Sequence, residues 1–175
     1  MKRSVASFCL CLVSLVAIAP LAHAATSGTS NVILAAKANV KIQITDASIT
    51  LDPTATDYAN DFVEAAGASG LRVMVQTNST TGVALLVRCD DAAPQIALAD
   101  LLVKTATAPG GSGTSISSYT ALTASDQTLW TTTTTQKPWL TVTSDIRVQN
   151  LGNYDAATGS GTDYTNTLTY SVLVQ

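Results

Sequence analysis

Between Trp139 and Gln149, apolar Leu140, Val142, Ile146 and Val148 alternate with Thr141, Thr143, Asp145, Arg147 and Gln149, and only Ser144 breaks the apolar side. A period of two this regular predicts a strand with one buried and one solvated face. The last segment repeats it: Tyr164, Leu168, Tyr170, Val172 and Val174 alternate with Thr165, Thr167, Thr169 and Ser171. Asn150–Thr162 lies between them, rich in Gly, Asn and Asp, and predicts a long hairpin loop. A second hairpin is expected where Leu71, Val73 and Val75 run into Asn78-Ser79-Thr80-Thr81-Gly82 and return as Val83, Leu85, Val87 and Cys89. Weaker strands are expected at Leu101–Thr105, Ser115–Leu122 and Thr128–Thr133, with a loop at Pro109–Gly113. Asp57–Ala66 departs from the pattern and predicts a short helix with Asp57 as N-cap. About eight or nine short strands at this spacing predict an all-β fold, a single antiparallel sandwich.

The longest alternation comes early. Val32, Leu34, Ala36, Ala38, Val40, Ile42 and Ile44 fall at every second position, against Lys37, Asn39, Lys41, Gln43 and Thr45, although Ile33 and Ala35 do not fit. One strand of that length would span ~43 Å at ~3.3 Å per residue, whereas strands typically have ~5–6 residues. Two arrangements fit: the segment crosses between the sheets of its own sandwich, or its first half leaves the domain. In the second, residues 25–38 form an extended arm that adds itself to a neighbouring molecule as a donor strand, through Val32, Leu34, Ala36 and Ala38. The sandwich domain then occupies residues 39–175.

Composition adds the compartment. Residues 1–24 have the parts of a secretory signal: Lys2 and Arg3, an apolar run from Phe8 to Ile18, and the small-x-small site Ala22-His23-Ala24. The apolar run is shorter than a membrane span needs, and no later stretch is long enough. The expected destination is extracellular or the cell surface, through the periplasm if the host has an outer membrane. Cleavage would leave seven basic residues against twelve acidic ones, a net charge of −5 against −3 for the whole chain. A basic nucleic-acid footprint is therefore missing.

The leader also holds His23, Cys9 and Cys11, so the mature chain would keep no histidine, one cysteine (Cys89) and one glutamate (Glu64). That excludes Ser-His-Asp and Cys-His catalysis, histidine-ligated zinc and an intrachain disulfide in the mature chain. No enzymatic activity and no cofactor is expected. Among oxygen ligands, Asp52, Asp57 and Asp61, and the adjacent Asp90 and Asp91, are weak calcium candidates without calcium-loop spacing. Glu64 reads as a surface residue of the short helix, and Cys89 as a small buried hydrophobe. A lysine–asparagine isopeptide bond would need Lys41 or Lys104 beside Asn78 or Asn166. Aromatic residues are few. Trp139 falls on the polar side of its strand behind Pro138, which suggests an edge, and is a candidate sugar platform or interface anchor with Trp130, Tyr119 and Tyr154.

Leu71–Thr77, Asn78-Ser79-x-x-Gly82 and Val83–Cys89 together resemble a hairpin of secreted bacterial immunoglobulin-like modules. Asn153-Tyr154, followed by Gly161-Thr162-Asp163-Tyr164-Thr165-Asn166-Thr167-Leu168-Thr169-Tyr170, is similar to their closing strand. Such modules include pilus and spore-coat-U-like subunits and surface-layer or matrix proteins. The resemblance implies an immunoglobulin-like sandwich and a structural subunit that self-associates into a homopolymer, a pilus or other extracellular filament. Pilins of the chaperone-usher kind often carry a disulfide near the start. Here only Cys89 remains, so the subunit is expected to hold without a bridge. The alternative is an adhesin-like module that binds a surface glycan through Trp139 and the loops.

Overall fold

The computed structural model describes residues 34–107, 113–154 and 164–175. Residues 36–175 form one unit that carries every regular element among the described residues. Of the unit ending at Ala35, only Leu34 and Ala35 are described, and both are exposed.

The spine is a 14-residue strand, β8 (Gln136–Gln149), the region of cleanest alternation. Eight further strands are described: β1 (Val40–Ile44), β2 (Phe62–Ala65), β3 (Leu71–Thr77), β4 (Val83–Cys89), β5 (Leu101–Thr107), β6 (Thr120–Ala121), β7 (Gln127–Thr132) and β9 (Leu168–Val174). Among the described residues one α-helix, α1, spans Ala55–Asn60. The larger sheet runs β1-β3-β8-β5-β6 with β2 also on β8, the smaller runs β7-β4-β9, and every ladder is antiparallel. Val73, Val75, Val103 and Val142 of the first sheet meet Val83, Leu85, Val87 and Leu129 of the second in one apolar core. The fold is an all-β sandwich, as the alternation predicts.

Neither expected hairpin forms. β3 belongs to the larger sheet and β4 to the smaller, so residues 78–82 make an arch between sheets. Likewise β8 and β9 lie in different sheets, and β9 pairs with β4. The 78–82 connection lies at the place predicted but passes between the sheets instead of folding back. Gly82 shows the constraint on the arch: its φ is +87°, and a Cβ there would sit 1.8 Å from the Thr132 carbonyl oxygen. Residues 155–163 of the second connection and 108–112 of the predicted Pro109–Gly113 loop lie outside the described residues.

The helix also differs. Thr54 is its N-cap and Asp57 stands at the third helical position, where the two complete a capping box. The helix stops at Asp61, which takes the left-handed conformation at φ 61°. Phe62–Ala65 then forms β2, because Val63 and Ala65 are apolar at alternate positions and β8 offers a free edge. Glu64 is therefore a strand residue. β2 and β3 follow each other along the same edge of β8, interrupted at residues 66–70. The buried carboxylate of Asp145 spans that interruption, accepting the Gly67 N–H at 2.7 Å and meeting Lys104 Nζ at 3.0 Å. Asp145, expected on a wet face, is 4% exposed.

Candidate functional site

The two sides of the sandwich are finished differently. On the β5–β7 side, residues 114–116 stitch the sheets together: Thr105 N–H donates to Ile116 O (2.9 Å), Ile116 N–H to Leu129 O (3.2 Å) and Thr131 N–H to Thr114 O (2.8 Å). On the other side β1 and β9 are both edge strands, and among the described residues no backbone hydrogen bond joins them.

Register shows which of their side chains face inward, because directly opposed residues share a face. Ile42 opposes Val75 and Ile44 opposes Val73, both fully buried. Ile42 and Ile44 therefore point toward the core side, yet they are 38% and 46% exposed. In β9, Leu168, Tyr170, Val172 and Val174 oppose Cys89, Val87, Leu85 and Val83, all buried. None of the four β9 residues is itself fully buried. Exposure grows from Val40 through Ile42 to Ile44, so the opening widens away from the 78–82 arch. The Tyr170 hydroxyl is buried without a hydrogen-bond partner, and burial pushes its pKa up to about 12, with nearby Ser144 pulling weakly the other way. A row of unpaired main-chain groups beside a half-covered apolar face is a template for an added strand.

Val32 lies outside the described residues; Leu34, Ala36 and Ala38 are exposed and in no regular element. Strand structure begins only at Val40. Residues 37–39 are held beyond the end of β1: Asn78 Nδ2 donates to Lys37 O (2.9 Å), Thr77 Oγ1 donates to Asn39 O (3.0 Å), and Asn39 N–H donates to Asn78 Oδ1 (2.6 Å).

The four aromatic candidates are not brought together. Trp130 is 2% exposed and belongs to the core, which removes it from the surface. Trp139 is exposed, on a stretch of β8 that pairs only with β3, a local edge behind Pro138. The Tyr119 ring lies between Arg147 (3.9 Å) and Lys104 (4.5 Å), and its hydroxyl donates to Glu64 (2.8 Å). Burial, then Glu64, pushes its pKa to about 12. Arg147 also stacks on Phe62 and donates twice to Glu64, whose pKa it lowers. Tyr154 donates to Asp100 (2.8 Å), accepts the Ala97 N–H (3.2 Å) and meets Tyr164 edge-on at 5.2 Å. Tyr119 and Tyr154 are thus clamps between elements. Sequence reasoning missed both clamps, since their partners are distant in the chain.

The aspartates do not gather either. Asp57 caps α1, Asp61 ends it, and Asp52 is exposed. Asp90 pairs with Arg88, while Asp91 accepts the Thr167 N–H. No group of three or more acidic, His or Cys residues able to hold a metal occurs among the described residues. Cys89 is buried and free, and burial raises its thiol pKa. Asn78 and Asn166 bond to backbone groups and Lys104 pairs with Asp145; Lys41 and Asn78 line one hollow, but no acidic side chain lines it to assist an isopeptide bond. No helix among the described residues is long and apolar enough to cross a membrane. Comparison with family models, curated proteins and solved structures finds no match.

Proposed function

We propose that the protein is a secreted structural subunit that polymerises at the cell surface by strand addition, with residues 32–38 of one copy seated along the β1–β9 opening of the next. The observation that carries this reading is the half-covered inward face of β1 and β9 beside an unpaired β9 edge. Strand addition satisfies the edge through main-chain hydrogen bonds and covers Ile42, Ile44, Tyr170 and Val172 with alternate side chains. Leu34, Ala36 and Ala38 supply that alternation. Residues 37–39 are held beyond the end of β1, next to the start of that strand at Val40. The contact is head-to-tail, and such a contact propagates into a filament unless it closes into a ring.

The test compares the chain beginning at residue 25 with one beginning at Asn39, by size-exclusion chromatography and electron microscopy. Ladders or filaments from the longer chain alone support the proposal. Monomers from both across a hundredfold range of concentration overturn it.

A further inference from the structure

The positive charges of this acidic chain are unevenly used. Arg72 pairs with Asp46, Arg88 with Asp90 and Asp126, Lys104 with Asp145, and Arg147 with Glu64. Of the basic residues among those described, Lys37, Lys41 and Lys137 alone have no carboxylate partner, and all three are exposed. They converge. Lys41 and Lys137 line one hollow of 380 Å³ with Asn39, Gln76, Thr77 and Asn78, and no acidic side chain lines it. Lys37 is tied to its rim through the bond from Asn78 to its carbonyl oxygen.

The sheet is built irregularly at this point. Val75 opposes Leu140 and Thr77 opposes Gln136, so Lys137, Pro138 and Trp139 together face the single residue Gln76. Such bulges re-aim side chains and are frequent beside functional sites. Here the bulge leaves Trp139 38% exposed on the outer face that also carries Gln76 and Lys41. The amides are fixed in place: Gln76 Nε2 donates to Lys137 O, and Asn78 is held by Lys37 and Asn39. Each retains hydrogen-bonding capacity, since a side-chain amide offers two N–H donors and two acceptor lone pairs.

We infer that this face binds a carboxylate-bearing polysaccharide, with the Trp139 indole against the apolar face of a sugar ring, Gln76 and Asn78 on hydroxyls, and Lys41 and Lys137 on the carboxylates. A single aromatic platform with rigid amides suits a sugar ring, and the paired lysines select the acidic kind. The net charge of −3 opposes long-range attraction of a bare polyanion, so recognition is local.

Affinity electrophoresis of the purified protein through gels containing polygalacturonate or polymannuronate tests this, with methyl-esterified polygalacturonate and dextran sulfate as comparisons. Retardation is expected with at least one uronate polymer, about tenfold weaker after esterification. Trp139→Ala and the double variant Lys41→Gln/Lys137→Gln should each weaken binding about tenfold or more, while thermal melts show that both remain folded. In solution the uronate should shift tryptophan emission, because Trp139 is the exposed indole of the two. Three results would overturn the inference: no retardation by either uronate, retardation unchanged in either variant, or equal retardation by dextran sulfate that ignores Trp139→Ala.

Discussion

Trp130 and Trp139 carry the same side chain into opposite environments. Trp130 packs inside the sandwich, while Trp139 faces outward from a bulge. Truncating a buried tryptophan removes its transfer energy and leaves a cavity, so Trp130→Ala should cost about 3–5 kcal/mol. Trp139→Ala should cost only about 1 kcal/mol. Urea denaturation of the two variants measures the contrast, and equal losses would contradict these placements. A second residue-scale effect depends on pH. Arg147, assisted by Tyr119, holds the Glu64 carboxyl below its ordinary value of 4.5. A depressed carboxyl pKa stabilises the fold above the unfolded value, and that contribution disappears as pH falls through the folded one. Glu64→Gln should therefore lower the melting temperature at pH 7 and have a shrinking effect below pH 4.5, vanishing in stronger acid. A deficit that is the same at all pH values would show that packing, not charge, is what the glutamate supplies.

At the scale of elements, strand positions were legible because period two and β-branched residues mark a pleated surface locally. Pairing was not. Asn78–Gly82 carries turn residues that suit a hairpin, and the strands on both sides alternate as a hairpin would require. An arch between sheets needs the same features, since each strand still turns one face to the core. The difference lies in what Gly82 approaches across the sandwich, the Thr132 carbonyl, and local pattern carries no trace of that. The helix boundary was lost for a similar reason: β8 captures Phe62–Ala65 as a strand. Part of the open edge was legible, because the alternation of β1 marked Ile42 and Ile44 as inward. That they would be left half-covered depends on β9 ending the smaller sheet. This makes β1 the element to alter. Ile42→Lys with Ile44→Lys places two charges along the opening, where a seated strand would desolvate them. The variant should stay folded, since both positions are already about two-fifths exposed, and should lose assembly. Normal circular dichroism with undiminished ladders on size exclusion would remove β1 from the proposed interface.

For the whole molecule, if the β1–β9 opening seats a strand as proposed, stability should depend on what occupies it. The β5–β7 side is bonded through residues 114–116, whereas among the described residues no backbone hydrogen bond joins β1 to β9. A ligand that binds only the folded state adds RT ln(1 + [L]/Kd), about 2.7 kcal/mol at a hundredfold excess over Kd. A peptide spanning residues 30–38 is such a ligand if the opening accepts the arm. Added to the chain that begins at Asn39, it should raise the melting temperature progressively with peptide concentration. The same peptide with Leu34→Lys should not, because the altered position would face the apolar side. The melting temperature of the longer chain should itself rise with protein concentration, since each copy supplies the ligand for another. Peptide-independent melting would mean that the opening is stable empty, and the arm would then need some other role. If both dependences appear, assembly also places one Trp139 face on every subunit of a filament. Weak sites repeated along one polymer engage a repeating polysaccharide far more tightly than any single site. Filaments should therefore be held on a uronate matrix at ionic strengths that release the monomer, while the exposed lysines of a lone subunit are screened.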